Sequence, residues 1–171
     1  MRGFGIQSPR AYAFVREVIA ESLPYYAYDV IDAMNEGRRK KQFMRLYVRI
    51  ANRRQPQAYC DLTGENLYAV VSRGCHSMKE VHSLGDLEGS IHLMCRLTLG
   101  QATPEMVSRI MQSANKESVL IVEQLGLTDE QQRQWEQLKQ HPLVGVTFDL
   151  GPTAIVFTDT SMHKDHYKLN F

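Results

Sequence analysis

The sequence predicts a three-layer α/β domain with a mostly parallel sheet, finished by a C-terminal antiparallel hairpin strand. Three observations carry that prediction. Apolar strand-like runs alternate with helical stretches from residue 58 onward, the order that builds a parallel sheet. Ser118-Val119-Leu120-Ile121-Val122 has four large apolar residues and no alternation, which suits a parallel strand covered on both faces. Gly151-Pro152 stands between two more apolar runs, Val144–Leu150 and Thr153–Thr158, and reads as a hairpin turn. A chain of 171 residues is long enough to bury one substantial core.

The elements follow in order. Ser8-Pro9 through Ser22 reads as a helix, with Ser8 as N-cap, Pro9 at the first helical position, and Phe14, Val15, Val18 and Ile19 on its apolar face. Leu23-Pro24 interrupts it, and Tyr25-Tyr26-Ala27-Tyr28 leads into a short helix, Asp29–Glu36, ended by Gly37. A third helix runs from about Lys40 to Asn52, burying Phe43, Leu46, Tyr47, Ile50 and Ala51, and Gln55-Pro56 stops it. Ala58–Leu62 is a short strand. Leu67–Arg73 fits a helix or a strand, and His76–Leu84 a helix or a turn.

Ser90–Leu97 is apolar enough for a buried strand. Pro104–Ala114 is a helix capped by Thr103, with Met106, Val107, Ile110 and Met111 inside. Leu127–Gln140 is a helix capped by Thr128, with Leu127, Trp135 and Leu138 turned to the core. Residues 1–57 thus form a helical leader and 58–171 the α/β domain, within one structural unit.

Composition narrows the function. With 43% hydrophobic and 23% charged residues the chain is an ordinary globular one, and no apolar run approaches the ~18 residues of a membrane helix. The N-terminus lacks the apolar stretch of a signal peptide, and three cysteines fit no disulfide framework, so a cytoplasmic protein with reduced thiols is expected. The net charge of +1 conceals an asymmetry: residues 1–57 hold 11 Lys/Arg against 5 Asp/Glu, and the remainder holds 9 against 14. Gly37–Arg54 alone has eight basic residues and no acidic one, with Lys41, Arg45, Arg49 and Arg53 forming a stripe along the helix. Such a stripe suits a solvated face, an acidic protein partner, or nucleic acid.

Neither Cys75-His76 with His82 nor His163-x-x-His166 has the spacing of a four-ligand zinc site, and no metal is expected. A Gly-x-Ser-x-Gly elbow and a phosphate-binding Gly-x-x-x-x-Gly-Lys-Ser/Thr loop are both absent. Cys60 and Cys95 fall in strands and read as buried hydrophobes.

A sheet closed by strand, helix, strand, tight turn and antiparallel strand resembles the Rossmann-like class I S-adenosylmethionine-dependent methyltransferases. More narrowly, Gly5-Ile6-Gln7-Ser8-Pro9 and Pro24-Tyr25-Tyr26-Ala27-Tyr28 are similar to the leader of a bacterial subfamily that opens with Gly-hydrophobic-His-Ser-Pro. Trp135, His141-Pro142, Val146–Leu150, Ile155-Val156-Phe157 and His166–Phe171 fall in that subfamily's order. The resemblance covers roughly residues 3–60 and 117–171.

It implies an acidic residue and several spaced glycines after the first strand, which would hold S-adenosylmethionine. Asp61-Leu62-Thr63-Gly64-Glu65-Asn66 has one glycine, and Thr63 stands where the first is expected. Arg96 stands where a later strand should carry an acid, while Glu123 keeps the acidic end of the strand Ser118–Val122. The separation of 26 positions from Gly64 to Ser90 falls short of the ~30 that a strand–helix–strand unit needs, so a repeat is lost or shrunken. Asp61, Thr63, Gly64 and Glu123 are the candidate cofactor-binding residues, and no residue stands out as a catalytic base.

The expected function is a methyltransferase-like domain with a degraded S-adenosylmethionine site, a pseudoenzyme that acts by binding a protein partner or another copy of itself. An active methyltransferase with an atypical site is one alternative. A nucleic-acid or acidic-partner adaptor working through the basic helix 38–54 is another.

Overall fold

The computed structural model describes residues 5–87, 89–125 and 127–171. Two compact units are present, one gathering residues up to Gln55 with Leu67–Met78, the other Pro56–Asn66 with Lys79–Phe171.

The first unit is helical. Ser8 caps α1 (Pro9–Phe14) by accepting the Ala11 N–H, as its sequence predicts. The helix then widens into a π-turn over Val15–Ile19 and stops there, short of the expected Ser22. α2 covers Tyr28–Ala33 and ends at an extended Met34, so Gly37 does not terminate it but precedes α3 (Arg38–Arg54) as its N-cap. Gln55 ends α3 in the left-handed conformation, φ 51°. The ambiguous stretch after Leu67 is helical: α4 (Tyr68–Val71) continues into a 3-10 turn over Ser72–Gly74.

The second unit carries a seven-stranded sheet. Its strands are β1 (Ala58–Asp61), β2 (Lys79–Val81), β3 (Leu93–Thr98), β4 (Val119–Glu123), β5 (Thr147–Asp149), β6 (Thr153–Phe157) and β7 (His166–Lys168). They lie in the order β2-β1-β3-β4-β6-β5-β7, and only β6 runs against the rest. A mixed α/β architecture with a mostly parallel sheet and a reversed C-terminal strand is therefore confirmed.

Two strands depart from expectation. β2 falls where a helix or turn was expected; its Lys-Glu-Val sequence is polar because it forms a sheet edge and pairs on one side only. At the C-terminal end β6 inserts beside β4, and β7, for which no strand was expected, adds outside β5.

α5 (Pro104–Ser113) and α6 (Asp129–Gln140) contribute Ile110, Met111, Trp135 and Leu138 to a core with Cys60, Cys95, Leu97 and Val122. Thr103 caps α5 at the Met106 N–H, and Thr128 with Gln131 forms a reciprocal capping box on α6. Leu127, expected inside, is 69% exposed because α6 starts beyond it at Asp129. The alternate residues of the sheet, Tyr59, Met94, Arg96 and Ile121, face the other way and are also shielded from water.

The chain leaves β1 toward β2 on one side and returns to β3 on the other. The sheet thus has a switch point between β1 and β3, the position where open α/β sheets place ligands beyond the strands' carboxyl ends.

Candidate functional site

Strand β3 reads Leu-Met-Cys-Arg-Leu-Thr, and all six residues are buried. A guanidinium in a strand that borders the switch point cannot remain there without partners, since burying a lone charge costs many kcal/mol. The parallel register supplies them. Asp61, the last residue of β1, pairs directly with Arg96, and Glu123 lies two residues beyond Ile121, the β4 partner of Arg96. Residues in register, or two apart, point to the same sheet face, so all three side chains converge.

Arg96 donates from Nε to Glu123 Oε1 at 2.7 Å and from Nη2 to Glu123 Oε2 at 3.1 Å, a bidentate pair. Nη1 donates to Asp61 Oδ2 at 2.8 Å and to the Glu65 carbonyl at 2.7 Å. Nη2 also donates to Glu65 Oε2 at 3.0 Å. The five bonds match the five N–H groups a guanidinium owns. Side-chain exposure is 2% for Arg96, 5% for Asp61 and 20% for Glu123, with only Glu65, at 42%, reaching solvent.

The neighbouring groups reinforce this arrangement. Tyr59 Oη donates to Asp61 Oδ2 at 2.7 Å, and the Thr63 hydroxyl and N–H both donate to Asp61 Oδ1, at 2.7 and 3.1 Å. Burial by itself would raise the Asp61 carboxyl, but the Arg96 charge and the Tyr59 and Thr63 hydrogen bonds outweigh it and hold the group below its ordinary range. Burial, and next the Asp61 carboxylate, drives the Tyr59 phenol far upward, so it stays protonated and keeps donating. Burial opposes the Arg96 charge, yet Glu123 and Asp61 more than compensate. Asp61 and Glu123 both serve as acceptors to Arg96.

Of the four candidate residues, Asp61, Thr63 and Glu123 therefore meet in one network. Gly64 shapes the turn instead: it has φ +79°, is exposed, and a Cβ there would meet nothing within 4 Å. Sequence reasoning missed Glu65 and Tyr59, and placed Arg96 only as a departure from the expected acid. The available signal was a lone cation inside an apolar strand, which demands buried carboxylates.

The basic stripe of α3 is engaged within its own unit. Lys41 donates to the Asp32 carbonyl at 2.8 Å, and Arg45 pairs with the Asp32 carboxylate and lies over the Tyr28 ring. Arg49 is buried and donates to the Val18 and Ile19 carbonyls and to Tyr28 Oη. Arg53 pairs with Glu17 at 3.3 Å. These contacts tie α3 to the helices before it.

Among the described residues, no group of three His, Cys, Asp or Glu is placed to hold a metal ion, and no helix is long and apolar enough to cross a membrane. Cys60 and Cys95 are registered neighbours and both are buried.

No family model matches the sequence, and no curated protein matches it at a significant level. Among solved structures, a methyltransferase from Geobacter sulfurreducens superposes with a TM-score of 0.53 at 12% identity, over 88% of this chain and 96% of that one. The mitomycin 7-O-methyltransferase MmcR aligns with a TM-score of 0.40 at 10% identity, over 87% of this chain and 68% of that one. The chain has a methyltransferase-like fold, and the likeness is one of fold alone.

Proposed function

We propose that this chain is a methyltransferase-fold pseudoenzyme of the cytoplasm that has given up its S-adenosylmethionine site and acts by binding a protein partner or a second copy of itself. The supporting observation is the Arg96 network at the carboxyl ends of β1, β3 and β4.

The residues there do not fit the cofactor. The carboxylates of Asp61 and Glu123 are occupied by a side chain of the same molecule. The turn after β1 has one glycine, and Thr63 spends its hydroxyl and N–H on Asp61. Beyond β2, where an acid would grip the ribose hydroxyls, the chain has an exposed His82. Admitting a nucleotide means withdrawing a buried guanidinium from its carboxylates, at a cost on the order of 3–5 kcal/mol.

Titration calorimetry with S-adenosylmethionine and S-adenosylhomocysteine tests this reading. The expected result is no saturable heat up to about 1 mM of either, above the affinity range of working cofactor sites. Micromolar binding that Asp61→Ala abolishes would overturn it.

A further inference from the structure

Cys60 and Cys95 stand directly opposite each other on the adjacent parallel strands β1 and β3. Neighbouring strands lie about 4.8 Å apart, inside the span of about 4.4–6.8 Å between α-carbons that a disulfide bridges. Registered residues share a sheet face, so both side chains enter the same core.

Both thiols are buried, and the row across the sheet shows how one of them becomes reachable. On its other side Cys60 pairs with Val81 of β2, a three-residue edge strand held on one side only. Val81 is half-buried, and the chain beyond it makes a 3-10 turn, Leu84–Asp86, in which no residue is buried. A short edge with little buried apolar surface opens locally at a lower cost than the whole fold. Fraying of β2 uncovers Cys60 first and leaves Cys95 behind it, flanked by Leu120 of β4.

The two thiols differ in chemistry as well as in place. A hydrogen bond from Cys95 holds the Cys60 thiol below its ordinary range, outweighing burial and the charges of Asp61 and Asp86. The same bond, and then burial, pushes the Cys95 thiol well up. The reachable cysteine is therefore the one that favours the nucleophilic thiolate.

We propose that Cys60 and Cys95 form a peroxide-responsive dithiol, Cys60 reacting when β2 frays and Cys95 resolving it to a disulfide between β1 and β3. The Cys60 thiolate attacks one oxygen of hydrogen peroxide; an S–O bond forms, the O–O bond breaks, and the departing hydroxide is protonated to water. The Cys95 sulfur then gives up its proton and attacks the Cys60 sulfur. The S–S bond forms, the S–O bond breaks, and the hydroxide that leaves takes up that proton. Two thiols and one peroxide thus give one disulfide and two waters.

The test treats the full reduced chain with about 1 mM hydrogen peroxide, blocks the remaining thiols by alkylation, and maps the peptides by mass spectrometry. The expected product is a Cys60–Cys95 cross-link that dithiothreitol reverses, with Cys75 still alkylated. Cys95→Ser leaves a sulfenic acid at Cys60 that dimedone traps, and Cys60→Ser leaves Cys95 reduced. Val81→Gly, which weakens the edge strand, speeds the cross-link at least about three-fold, with circular dichroism verifying that each variant is folded. No cross-link at about 10 mM peroxide would overturn the proposal. So would a rate unchanged by Val81→Gly, or Cys75 oxidising as fast as Cys60, which marks unfolding of the whole chain as the route.

Discussion

Replacing Arg96 by Met keeps much of the side chain's length and removes all five of its hydrogen bonds. Asp61 and Glu123 then face each other across β3 without the Arg96 charge, at 5% and 20% exposure. Removing one partner from a buried ion pair costs about 3–5 kcal/mol, because the stranded charge pays its full desolvation. Two carboxylates are stranded here and the third, Glu65, is half in solvent, so the upper half of that range applies. Urea unfolding followed by the fluorescence of Trp135, the single tryptophan, reports on the unit that holds the network. With m near 2 kcal/mol/M, the midpoint falls by about 2 M.

The pH dependence of this loss separates a charge effect from simple loss of packing. In the unaltered chain Asp61 titrates below its unfolded value. Its contribution is present above about pH 4 and disappears as pH falls through the lower folded pKa. Without Arg96 the dominant influence on Asp61 is burial, which raises its pKa, so acidification relieves the variant before it harms the unaltered chain. The stability gap therefore narrows between pH 7 and pH 5. A gap under about 1 kcal/mol at pH 7, or one that stays constant with pH, would refute the reasoning.

Two further outcomes are expected. Burial and then the charge of Lys164 lower the His141 pKa, and burial, Lys139 and Lys164 lower that of His166. The unfolded chain therefore binds these protons first, and stability declines as pH drops below about 6.5. Thermal scans should show a shallower decline between pH 7 and pH 5 in Lys164→Met. In the helical unit, Arg49→Met deprives the Val18 and Ile19 carbonyls of their donors. At about 1.5–3 kcal/mol for a hydrogen bond to a charged group, hydrogen exchange in Pro9–Ile19 should accelerate by at least about ten-fold.

The parts of the fold legible in the sequence are those with local causes. Ser8, Thr103 and Thr128 each cap the helix their position announces, because capping needs only residues three apart. β3 and β4 declare themselves as apolar runs because both are central and covered on two faces. β2 and β7 stay hidden: three residues on a sheet edge need no apolar pattern, and pairing alone makes them strands. The π-turn after Phe14 has no sequence signal either, since Val15–Ile19 continues the apolar face of a regular helix.

The candidate site divides the same way. Asp61 and Glu123 are visible as acids at strand ends. Their union through Arg96 arises from strand register across separations of 35 and 27 residues, which no local spacing encodes. Glu65 joins only because the turn at Gly64 brings its backbone back over β3.

The reversed strand β6 has a consequence for synthesis. β4 ends at Glu123, but the strand that covers its free edge, Thr153–Phe157, emerges about thirty residues later. At roughly 5–20 residues per second, the Val119–Val122 edge waits unpaired for about 2–6 s on each nascent chain. An apolar edge of that kind is a template for pairing with other chains. Timely arrival of the thirty residues that follow Glu123 thus protects the protein from aggregation as well as completing its sheet. Slow codons between Gly126 and Pro152 would lower the soluble yield with no change to the finished molecule.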